Sequence, residues 1–247
     1  MRRAPNEDPV CDPNLTWEEM LKAKDKQDQA AKVTVPKLDV EKLAPYPFDS
    51  DVVFVSVDVE SYERNHNFIT EIGISTLDTH DLVDISPGEG GINWMRKIRA
   101  RHFRISEFTH LVNKDFIVGC ADRFEKDFGE SEFISIKDAP RVVASCFRPP
   151  FSASMDSGDW NTLEHHESDP KQNIILVGHD TRTDIAYLRG MGYDPGNLSN
   201  LLEVLDTAEL FRALVYDYQP KALGGLLLDL GMTGWNLHNA VSCPPSP

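Results

Sequence analysis

Long apolar runs are missing from this chain of 247 residues. No segment approaches the length of a membrane span, and the charged opening MRRAPNEDPV has no hydrophobic stretch behind it. The expectation is a protein with no membrane partner and no export signal. Positive charge is scarce as well. Against 40 Asp and Glu stand 25 Lys and Arg, a formal net charge of -15. Such a chain repels polyanions at long range, so any contact with nucleic acid has to be local, through a basic groove or through metal ions held by some of the carboxylates. Cysteine is sparse too. Cys11, Cys120, Cys146 and Cys243 lie far apart with no C-x-x-C pair, a pattern that suits reduced thiols in the cytoplasm or nucleus.

At 40% hydrophobic residues the chain can bury one good core. Residues 1–48 read as a polar tail with one helical patch, TWEEMLKAKDKQDQAAK. There Thr16 and Glu19 fit a capping box, and Trp17, Met20 and Leu21 form a small apolar face, to rest on the domain or to meet a partner. The domain itself is expected over 49–242. Within it, FSASMDSGDWNTLEHHESDPKQN (151–173) is polar and reads as a surface insertion, its His165 and His166 as solvated side chains.

DVVFVSVDVE (51–60) is nearly continuous in β-branched residues, as for a central strand covered on both faces. With a period of two, the valines point one way and Phe54, Ser56, Asp58 and Glu60 the other. ITEIGISTLDT (69–79) is a second strand, close enough to be an antiparallel neighbour, and IRARHFRISEF (98–108) a third. Then the pattern changes: SIKDAPRVVASCF is helical, NIILVGHD (173–180) is a buried strand, and TRTDIAYLRGMGY is a helix ending near Gly190 or Gly192. LLEVLDT is a short strand, AELFRALV a helix, and PKALGGLLLDLGM a helix opened by its proline. The sum is a mixed α/β sheet with an antiparallel flank.

Two carboxylates at the end of an apolar strand are costly to bury unless donors or a cation compensate. Asp184, in the first turn of the helix after GHD, falls near the same sheet edge as Asp58 and Glu60. Oxygen-only ligands of this kind suit Mg²⁺ or Mn²⁺ better than zinc. Asp206 in VLDTAEL reads as a helix cap.

Taken together, VDVE (57–60), GHDTRTD (178–184) and LHNAV (237–241) resemble the three motifs of the DEDDh 3′-to-5′ exonucleases, in order and near the usual spacing. The longer stretches VSVDVESYERNHNFITEIGISTLDT, RARHFRI and WNLHNA resemble a fungal branch of that family tied to mRNA export. The resemblance implies a ribonuclease-H-like fold and a site with two metal ions. It implies that Asp58 bridges both ions, Glu60 holds one, Asp184 helps to position the second, and His238 is the general base. Where the family has an aspartate five positions after that histidine, this chain has Cys243. Residues 243–247 then read as an aberrant tail in place of a last helix, from splicing or a mistaken gene boundary, against the alternative of a genuine ending.

The basic stripe MRKIRARHFR (95–104) concentrates five Lys or Arg in an acidic chain. Arg99 and Arg101 could track a phosphate backbone, or the stripe could guard an exposed strand edge. Asn65, His66 and Phe68 could meet a terminal nucleotide, Phe68 by stacking, unless it is core. Two functions stay open: a metal-dependent 3′-to-5′ exonuclease on RNA or single-stranded DNA, impaired here by the lost aspartate, and a catalytically silent module that binds nucleic acid or protein.

Overall fold

Alternation decides how the first strand lies. In β1 (Val52–Tyr62), Val53, Val55, Val57 and Val59 are buried, whereas Ser56 is exposed and Phe54, Asp58 and Glu60 are half-buried. The expected covering of both faces is therefore not met: one face is core, and the other is open over its polar residues. The computed structural model describes residues 39, 41–43, 51–116, 119, 130–151, 172–215, 219 and 221–230. The helix expected near Thr16, the bulk of the expected insertion with His165 and His166, and His238 and Cys243 lie outside them. Phe151 is buried in the core and Asn173 opens a strand, so both ends of the stretch 151–173 belong to the fold.

A tight turn at Glu63 and Arg64 returns the chain as β2 (Asn65–Asp78), antiparallel to β1. The pairing is irregular beside the acidic residues: Tyr62 faces Asn65 and Ser61 faces Ile69, yet Glu60 faces Glu71. Extrapolated from the turn, Glu60 would face Asn67, so the bulges shift the register by four residues. β3 (Arg99–Ile105) pairs antiparallel with β2, and β4 (Glu132–Ile134) parallel with β3. β5 (Asn173–Gly178) adds parallel to β1 and β6 (Leu201–Asp206) parallel to β5, giving the order β4-β3-β2-β1-β5-β6. This is the mixed α/β sheet with an antiparallel flank expected of a ribonuclease-H-like fold. The three-residue β4 was not foreseen.

Five α-helices are described: α1 (Ile92–Met95), α2 (Ala139–Cys146), α3 (Thr181–Met191), α4 (Thr207–Val215) and α5 (Leu223–Asp229). Ala139, Val142, Val143 and Cys146 recur at helical spacing, so α2 presents one apolar stripe to the core. There they join the valines of β1, Ile72 and Ile74 of β2, Phe103, and Leu188 of α3. Each such aliphatic side chain contributes about 2 kcal/mol by leaving water. α3 stops at Gly192, whose φ of 112° is open to glycine and whose N–H closes back on Leu188 and Arg189. α5 starts at Leu223 from an extended Ala222, three residues beyond Pro220 and so not opened by it.

The β1–β2 turn is tied to a distant segment. The Glu63 carboxylate accepts the backbone N–H groups of Lys114, Asp115 and Phe116 at 3.1, 3.0 and 2.9 Å. Asn113 accepts the Glu63 N–H and donates to the Ser61 carbonyl, and Arg64 pairs with Asp115.

Candidate active site

Three expected carboxylates come together at the end of β1. Asp58 and Glu60 project from its open face, and the bulge follows immediately after them. Asp184 arrives on α3, and its Oδ1 accepts the N–H of Val59, between the other two, at 3.0 Å. The junction from β5 to α3 makes this possible. Asp180 takes a left-handed conformation (φ 63°, ψ 44°), which aspartate tolerates better than most residues. Gly178 lies so close to the helix that an added Cβ would sit 2.8 Å from Thr181 Oγ1. Asp206 clamps the same corner, accepting the N–H of Thr181 at 3.0 Å and that of Ala208 at 2.9 Å. It therefore caps α4, as expected, and also holds the first residue of α3.

Among the described residues, the carboxylates of the cluster have no counter-charge. Burial pushes the Asp58 carboxyl up to about 8, and the negative charges of Glu60, Asp184 and Glu71 push it the same way against the Val59 N–H. Burial, then Glu71, raises Glu60 to about 7. Asp184 is also pushed up to about 7, by burial first and by Asp180, Glu60 and Asp206, although the Val59 N–H opposes this. Among the described residues, no Lys, Arg or His is among the main charges acting on these three.

The donor chemistry fits a hard divalent cation: oxygen ligands only, Asp184 buried, Asp58 and Glu60 half-buried, and all three mutually repelling. Asp58, Glu60 and Asp184 would hold it. As they stand, no three His, Cys, Asp or Glu side chains among the described residues are gathered into a ready cage. Beside Asp58 opens a cavity of about 170 Å³ lined by Ser56, Gly73, Ser75, His179 and Thr207, among others. The Thr207 hydroxyl donates to the Gly178 carbonyl, so its oxygen accepts from His179 Nδ1–H at 3.0 Å.

The other expected residues divide. His66 Nδ1 meets the Ser61 hydroxyl at 2.9 Å, and that hydroxyl meets Tyr187 of α3 at 3.1 Å, one turn beyond Asp184. Asn65 accepts the Asn67 N–H. Phe68 is 37% exposed, with its ring 4.9 Å from that of Phe108.

Arg99 and Arg101 require correction, because the register sets them opposite Thr76 and Ile74, on the core face and away from the carboxylates. Arg101 is 5% exposed and grips Glu132 with two bonds of 2.7 Å, its cation over the Phe103 ring. Arg99 is bound to Asp81 at 2.7 Å. Neither is offered to a phosphate on the acidic face. The alternating residues Ala100, His102 and Arg104 share the carboxylate face instead. Sequence reasoning also missed Glu71 and His179, although both lie inside stretches that it singled out. Strict alternation along 99–104 would have separated Arg101 from His102, but the register shift at the bulge hid Glu71.

A mixed sheet carrying buried carboxylates at the joined ends of β1 and α3 defines a nuclease-like α/β module. Residues 53–241 match the family described as DNA polymerase III subunit epsilon-like, C-terminal domain, the DEDDh type, and the chain belongs to that family. Three relatives are more distant. An uncharacterized protein of Saccharomyces cerevisiae is 26% identical over 201 residues, covering 75% of this chain and 37% of its own length. An uncharacterized nucleolar protein of Schizosaccharomyces pombe is 24% identical, covering 76% and 62%. Good for full DBP5 activity protein 2 of Saccharomyces cerevisiae is 26% identical, covering 74% and 32%. The chain thus spans between about a third and three-fifths of the length of these relatives. No helix among the described residues is long and apolar enough to cross a membrane.

Proposed function

We propose that this chain is a divalent-cation-dependent 3′-to-5′ exonuclease module that hydrolyses phosphodiester bonds of RNA or single-stranded DNA. The observation that carries the reading is the bond from Val59 N–H to Asp184, which joins a helix carboxylate to the strand end bearing Asp58 and Glu60. When bound there, Mg²⁺ or Mn²⁺ would supply charge neutralisation and an activated water. Asp58, Glu60 and Asp184 hold the site's negative charge in fixed positions. His238, by its place in the third motif, takes the proton of the attacking water. Phe68 stacks on a terminal base through its exposed edge, with Asn65 and His66 beside it. A nuclear or cytoplasmic location suits such a module, and the nucleolar relative favours the nucleus.

Cys243 stands where the family pattern places an aspartate. A thiolate is a soft ligand and a poor match for Mg²⁺, so the rate is expected to lie at least about a hundredfold below that of a chain with the aspartate. The open carboxylate arrangement supports a second reading, a silent module that binds nucleic acid without cutting it. End-labelled single-stranded RNA and DNA, incubated with the chain and Mn²⁺, separate the two. Slow shortening from the 3′ end that Glu60→Gln abolishes supports the exonuclease. Retarded but uncut RNA supports the silent module.

A further inference from the structure

Next to the three carboxylates lies a buried ionisable pair that the proposed chemistry does not use. Glu71 is 7% exposed and His102 0%. His102 Nε2–H donates to Glu71 Oε2 at 3.0 Å, and Nδ1 meets the Ser131 hydroxyl at 2.9 Å. The Ser131 bond holds the ring from behind, and the ring holds the carboxylate.

The register places this pair on the open face. Glu71 of β2 faces Glu60 of β1, and in the next row Gly73 separates Asp58 from His102. Residues directly opposed across antiparallel strands have Cβ atoms about 5 Å apart, so the carboxylates of Glu60 and Glu71 reach one shared volume. The charge of Glu71 acts on both Asp58 and Glu60. A histidine needing only a partner in the core could take a hydroxyl or a carbonyl. A carboxylate here instead adds like charge where three carboxylates already repel one another. Among the described residues Oε2 is committed to His102 and Oε1 is left for another partner. Carboxylates that hold metals are commonly fixed by just such hydrogen bonds.

We propose that Glu71, oriented by His102 and Ser131, is a further carboxylate of the divalent-cation site formed by Asp58, Glu60 and Asp184. The inference rests on the reading that those three hold a cation. It makes β2, and not only β1 and α3, a contributor to the site.

Calorimetric titration of the full chain with Mn²⁺, paired with thermal melts in its absence, tests this. Glu71→Gln keeps an acceptor for His102 but removes the charge. The expected result is a metal-free midpoint close to wild type and Mn²⁺ affinity lowered at least about tenfold, with His102→Asn giving a smaller loss. Glu71→Gln binding Mn²⁺ as wild type does would overturn the proposal and leave the pair a structural one. Should Glu71→Gln fail to fold, Glu71→Asp, which retains the charge and draws it back by one methylene, decides in its place: weakened Mn²⁺ binding supports the proposal and wild-type binding overturns it. Asp58→Asn separates the two levels: when wild type binds Mn²⁺ and Asp58→Asn does not, the three-carboxylate reading stands and the Glu71 result is decisive. When wild type itself takes up no Mn²⁺ at millimolar concentration, the underlying reading fails and this inference falls with it.

Discussion

Two faces of one sheet bury charge in opposite ways. On the core face Arg101 is almost fully enclosed, but Glu132 answers it through two parallel hydrogen bonds and Phe103 lies under its cation. On the open face Asp184 is as enclosed as Arg101 and Asp58 and Glu60 are half-buried, yet among the described residues no cation answers them. The first arrangement is answered within the described residues, whereas the second is not. Buried charge that is paired reads as architecture. Buried charge left unpaired at the mouth of a cavity reads as a site.

The sharpest way to break this contrast is to remove the answer on the core face. Arg101→Ala should cost about 3 kcal/mol in urea unfolding, since it strands Glu132 and empties a packed position. The loss stays below that of a fully enclosed pair because the Glu132 side chain is 37% exposed. An effect under about 1 kcal/mol would show that the pair is not a structural anchor.

On the open face the sign reverses. The folded-state value of Asp58, about 8, lies above the unfolded value near 4, so the folded protein holds a proton that the unfolded chain has released. Stability without metal should then fall as pH rises from about 4 to about 8, Asp58 contributing about 1 kcal/mol per pH unit between 5 and 7 and the raised Glu60 and Asp184 adding to it. Asp58→Asn should make that slope shallower, and melts across this range check it. A flat wild-type profile would mean that the carboxylates are solvated after all.

Smaller still is the corner that aligns the site. Asp206→Ala removes acceptors for Thr181 and Ala208 and should cost about 1–2 kcal/mol, with a further loss of Mn²⁺ binding because Asp184 rides on the helix that Asp206 holds. The mildest change is Phe68→Ala. Losing one stacking surface should weaken single-stranded RNA binding by about 1 kcal/mol, roughly fivefold, in a fluorescence anisotropy titration. Unaltered affinity would assign Phe68 to its pairing with Phe108 alone.

Much of this was legible in the residues. The valine alternation marks β1, the glycine of ILVGHD and the threonines after it mark the turn into α3, and those two elements place Asp184 beside Asp58 and Glu60. What stayed hidden depends on long-range register. Nothing local announces that two bulges slide Glu71 opposite Glu60, because a bulge is a compromise between the turn and the sheet. The basic stripe misled for a related reason: its charge is visible at once, but the face each arginine takes depends on pairing with β2. β4 is three residues long, too short for any period to show.

The Glu63 carboxylate, finally, gives the β1–β2 turn a voice in hydrogen exchange. Three successive amides, those of Lys114, Asp115 and Phe116, hang on one side chain, although that stretch belongs to no strand or helix. A single rotation of Glu63 frees all three, so their protection against exchange with deuterium should be lost together, with a similar opening free energy. Those amides form a natural probe, outside the site itself, of how often the strand end carrying Asp58 and Glu60 loosens.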